Sequence, residues 1–78
     1  MTIGKSAGDL EKMVTERLRE NASCFALYRV LVLPAGDQAG WTTKCEAKMG
    51  MTILAECERA VNAIAEDLRR QYHLERGN

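Results

Sequence analysis

The sequence predicts a small α+β domain of order helix, strand, strand, helix, in which an antiparallel β-hairpin packs against two helices, the C-terminal one the longer. Three observations predict it. Two segments, residues 10–18 and 54–68, carry apolar side chains at three- and four-residue steps, the spacing of one helix face. Residues 41–49 alternate apolar and polar, which is the period of a strand with one wet face. Residues 24–33 are rich in the aromatic and β-branched side chains that suit a pleated surface. With 78 residues the chain forms one domain over 1–78, near the low end of what folds unaided, since a chain of this size buries roughly 60% of its unfolded surface.

The first helix is expected over residues 6–21. Leu10, Met13, Val14 and Leu18 form its apolar stripe, and Ser6 with Asp9 three residues later makes a capping box. Asn21-Ala22-Ser23 ends it, because these side chains compete for the backbone's own hydrogen bonds. Gly4-Lys5-Ser6 has the lettering of a phosphate-binding loop, but only three residues precede Gly4. The triplet reads instead as a flexible lead-in to the helix cap.

The first strand is expected over residues 24–33. Simple alternation points Phe25, Leu27, Leu31 and Leu33 one way around Arg29, and Cys24, Ala26, Tyr28, Val30 and Val32 the other. Both faces are therefore apolar. Pro34 and the run Ala35-Gly36-Asp37-Gln38-Ala39-Gly40 make a loop too long for turn chemistry alone to fix the register. In the second strand, over 41–49, Trp41, Thr43, Cys45, Ala47 and Met49 alternate with Thr42, Lys44, Glu46 and Lys48. An all-α helical hairpin is the rival, because Thr43 with Glu46 is also a capping box. It would place Gly50 inside a helix at about 1 kcal/mol and leave residues 28–32 without a pairing strand.

The last helix is expected over residues 52–73, with Thr52 as N-cap. Leu54, Cys57, Val61, Ile64 and Leu68 form its stripe, widened by Ala60, Ala65 and Tyr72. Glu56 and Glu58 suit its positive end, Arg69, Arg70 and His73 its negative end, and Glu66 with Arg70 adds an i,i+4 pair.

Eleven basic and eleven acidic residues cancel, so a charge-driven partner must use a local patch. A hydrophobic fraction of 46% excludes intrinsic disorder as the main state, and no apolar run approaches the roughly 20 residues that span a bilayer. The opening residues lack a basic region followed by an apolar one, and the three cysteines are odd in number and widely spaced. A cytoplasmic protein with reduced thiols is the expectation, and in that setting the glycosylation pattern at Asn21 carries no meaning. Cys24, Cys45, Cys57 and His73 could together hold zinc, but none has the close spacing of a zinc knuckle, so the cysteines read as core residues and no metal is expected. Nothing places a cysteine or carboxylate beside His73, which reads as a helix-end residue. No cofactor motif is present, and the chain is not expected to be an enzyme.

The apolar strand needs more cover than two helices give. The expectation is a homodimer that docks on a larger protein, through an interface drawn from Phe25, Leu27, Tyr28, Leu31, Leu33 and Trp41. Accessory or inhibitory proteins, including those of phages and mobile elements, fit this size class. The alternative is a nucleic-acid-binding module using Lys44, Lys48, Arg69, Arg70 and Arg76 beside Trp41.

Overall fold

The computed structural model describes residues 2–36 and 40–75. Its elements are β1 (Ile3–Lys5), α1 (Ala7–Leu18), a 3-10 turn (Ala22–Cys24), β2 (Leu27–Pro34), β3 (Trp41–Ala47), α2 (Ala55–Gln71) and β4 (Tyr72–Leu74). The α+β class and the central helix, strand, strand, helix order are as the sequence predicts. The all-α alternative is overturned, because residues 41–47 pair along β2 from Pro34 opposite Trp41 to Leu27 opposite Ala47. None of the helices among the described residues is long and apolar enough to cross a membrane.

α1 begins where its cap requires, with the Ser6 hydroxyl accepting the Asp9 amide at 3.1 Å. It stops at Leu18, three residues before the expected end. Asn21 then accepts the Ser23 amide through its side-chain oxygen at 2.9 Å, which starts the 3-10 turn. That turn consumes residues 22–24, so β2 starts at Leu27 rather than at Cys24. α2 starts at Ala55 after Leu54, and Thr52 is not its cap. β3 ends at Ala47, and Gly50 carries the left-handed φ of +78° that turns the chain toward α2. Met49 therefore leaves the expected strand row and is fully exposed.

The two terminal strands were not expected. β1 and β4 pair in parallel, with Ile3, Gly4 and Lys5 opposite Tyr72, His73 and Leu74. Gly4-Lys5-Ser6 is thus part strand and part cap rather than a flexible lead-in. His73 sits in β4, beyond the helix, where its Nδ1 meets the Thr2 hydroxyl at 2.7 Å. At Gly4 the Glu75 and His73 side chains come close: a Cβ would lie 2.5 Å from Glu75 Oε2 and 2.9 Å from His73 Nε2, so those side chains would have to swing aside for any other residue.

The core lies between one face of the hairpin and the two helices. α1 contributes Leu10, Val14 and Leu18, and α2 contributes Cys57, Val61, Ala65 and Leu68. The hairpin adds Val30, Val32 and Trp41, and β4 adds Leu74. Each large side chain fully withdrawn from water contributes roughly 1.5–3 kcal/mol, so this shared layer is what holds both helices on the sheet. Trp41 locks the terminal strands to it. Its indole nitrogen donates to the Tyr72 carbonyl at 3.2 Å, while the Arg69 guanidinium lies 5.5 Å from its ring centre.

A β-bulge corrects the expected facing of β2. Leu27 pairs with Ala47 and Arg29 with Glu46, so Tyr28 is the extra residue. Alternation is broken there. Leu27 turns toward the core and packs against it, whereas Tyr28 leaves the Val30 and Val32 row for the solvent.

Candidate functional site

The face of the hairpin away from the helices is the side chains' first candidate for a partner. On β3 it presents Thr42, Lys44 and Glu46, because the odd-numbered residues from Trp41 to Cys45 face inward. On β2 it presents Arg29, half-buried Leu31 and Leu33, which is 40% exposed. Leu31 is paired with Lys44 and Leu33 with Thr42. Arg29 binds Glu46 across the strands at 2.5 Å, and this carboxylate raises the guanidinium pKa above its ordinary value, first through the hydrogen bond and then through charge.

The bulged end of the hairpin carries an aromatic patch. Phe25 is 55% and Tyr28 68% exposed, and Tyr28 shares a shallow depression with Met49. Between that patch and the C-terminal end of α1 runs a groove of about 380 Å³. Leu18, Phe25, Leu27 and Tyr28 supply its apolar lining, and Arg19 and Arg29 its two charges. Its geometry has two local causes. The bulge swings Tyr28 outward, and the 3-10 turn carries Phe25 past the end of α1.

The Cys24–Cys57 disulfide ties that turn to α2, with the Cα atoms 5.0 Å apart. This overturns the expectation of reduced thiols. The pairing joins residues 33 apart whose separation in sequence says nothing about their distance in the fold. Cys45 is free and half-buried, and burial, with a smaller push from Glu58, raises its thiol pKa. Among the described residues no three histidine, cysteine, aspartate or glutamate side chains are grouped to hold a metal ion. Cys24, Cys45, Cys57 and His73 are not brought together as a ligand set, and two of them are joined to each other.

Of the six expected interface residues, Phe25, Tyr28, Leu31 and Leu33 reach the outer surface and Leu27 lines the groove. Trp41 does not: at 3% exposure it belongs to the core. Of the five expected nucleic-acid contacts, Lys44 stands on the open face, and exposed Lys48 follows β3. Arg69 is engaged with Trp41, also donating to its carbonyl at 3.4 Å, and Arg70 with Glu66 at 3.8 Å. Arg76 lies outside the described residues. Leu18 and Arg19 were missed as groove residues, since helix periodicity marks Leu18 only as core and Arg19 only as a helix-end charge. Comparison with known protein families, with curated proteins and with solved structures finds no match.

Proposed function

We propose that the chain is a non-enzymatic interaction protein that acts as a homodimer and docks on a larger protein. The observation that supports this is apolar surface left in solvent on the hairpin, with Leu33 40%, Phe25 55% and Tyr28 68% exposed and Leu31 half-buried. The Leu31 and Leu33 row is assigned to a second copy. It lies beside Lys44 and Glu46, which alternate in sign along β3, so a two-fold axis between them sets each copy's Lys44 against the other's Glu46. The outer edge of β2 does not support strand-to-strand joining, because the Glu11 carboxylate already occupies it at Val32. Face-to-face packing is the arrangement proposed. The Cys24–Cys57 bond favours an oxidising compartment over the expected cytoplasmic setting.

The test is the mass in solution by light scattering across a dilution series, for the native chain and for Leu31→Lys. The native chain is expected to be dimeric and the variant monomeric with an unchanged circular dichroism spectrum. A monomeric native chain overturns the dimer, and a dimeric variant overturns this face as its interface.

A further inference from the structure

The groove between the end of α1 and the bulged start of β2 has a charge balance unlike that of the chain. Eleven acids and eleven bases cancel overall, yet the residues lining the groove include two arginines and not one carboxylate. Arg29 is partly neutralised by Glu46 next to the groove, whereas Arg19 makes no ion pair among the described residues. Between these two charges the lining is apolar and partly aromatic, from Leu18, Phe25, Leu27 and Tyr28. The volume of about 380 Å³ suits one or two side chains and not a folded surface.

We propose that this groove binds a short acidic segment of a partner protein, seating an aromatic or aliphatic side chain against Leu18, Phe25 and Leu27 and placing a carboxylate on Arg19. A guanidinium free of internal partners loses no existing pair when it takes a carboxylate, and can hold both oxygens at once. Phe25 and Tyr28 cover the seated side chain from water, and an aromatic wall gives contact area at little cost in rotamer freedom. This assigns the chemistry of the larger partner and rests on the reading of the chain as an interaction protein.

The probes are two short acetylated and amidated peptides, one with phenylalanine and leucine between glutamates, the other with lysine at every glutamate position. Each is titrated into the oxidised, ¹⁵N-labelled protein while backbone amide shifts are followed. The glutamate peptide is expected to move amides around residues 15–29 and to bind about tenfold more tightly than the lysine peptide. Arg19→Glu should reverse that preference, Arg19→Gln should remove it, and Phe25→Ala should weaken both peptides. Equal response to the two peptides, no response to either, or shifts centred elsewhere overturns the proposal. So does a stronger response to a single-stranded oligonucleotide, which would assign the arginines to phosphate. Peptide binding by a monomer would remove the dimer and keep the groove, while a dimer indifferent to the peptides would do the reverse.

Discussion

The carboxylate of Glu11, on α1, accepts the backbone amide of Val32, on β2, at 2.9 Å. A helix side chain thus supplies the acceptor that a third strand would have offered, and Pro34 two residues on has no amide to satisfy. Replacing Glu11 by alanine should lower stability by about 1–3 kcal/mol, the cost of leaving a half-buried amide unpaired. It should also open the strand edge to pairing. Urea unfolding with light scattering over a concentration series checks both, and Glu11→Gln, which retains an acceptor oxygen, should restore most of the loss. Unchanged stability in the alanine variant would mean that water serves Val32 equally well.

The disulfide between Cys24 and Cys57 closes a loop of 33 residues in sequence separation. Constraining an unfolded chain of that length contributes about 3–4 kcal/mol on the chain-entropy account. Reductant, or replacement of both cysteines by alanine, should lower the unfolding midpoint accordingly and loosen the turn that carries Phe25. A midpoint insensitive to reductant would show that the core holds the turn without the bond.

Trp41 is the sole tryptophan, and its burial and its bond to the Tyr72 carbonyl make it a reporter for β4. Its emission should be blue-shifted and shielded from acrylamide. Trp41→Phe removes the donor as well as part of a ring, and should cost about 1–3 kcal/mol. Emission typical of water, with quenching like that of the free amino acid, would place the indole outside the core.

Cys45 is the one thiol left when the disulfide is intact. Burial favours its neutral form, so iodoacetamide should label it more slowly in the folded oxidised protein than in urea at the same pH. The linkage has a definite sign. A thiol whose pKa is higher folded than unfolded contributes stability below the unfolded value, and that contribution is lost as pH rises through the folded value. Stability should therefore decline on the alkaline side, and less so for Cys45→Ala. Equal labelling rates in the two states would contradict the burial of this side chain.

Legibility in the sequence followed the range over which each signal acts. Leu10, Val14 and Leu18, or Val61 and Leu68, announce themselves within a few residues, because helix periodicity is local and burial enforces it. The hairpin was readable for the same reason, from the alternation between Trp41 and Ala47. Tyr28 misled because alternation assumes an unbroken ladder, and one inserted residue reverses every facing on its far side. β1 and β4 are three residues each, too short for any period, and their pairing joins opposite ends of the chain. The apolar residues that β2 leaves in or near solvent, Leu31 and Leu33, were legible as excess apolarity. The groove was not, since Arg19 gains its meaning only when the bulge and the 3-10 turn bring Phe25 and Tyr28 beside it.

The parallel pairing of β1 with β4 also sets a schedule for how the molecule comes into being. On a ribosome, residues 3–5 emerge before residues 72–74 and must wait, with their strand partner unmade, until those have cleared the exit tunnel. The hairpin and α1 can collapse earlier, but the carbonyl that receives the Trp41 indole belongs to Tyr72 and arrives only with β4. Native closure thus cannot precede the synthesis of β4, and a chain stalled before Tyr72 would present an unsealed core to the quality-control machinery of the cell.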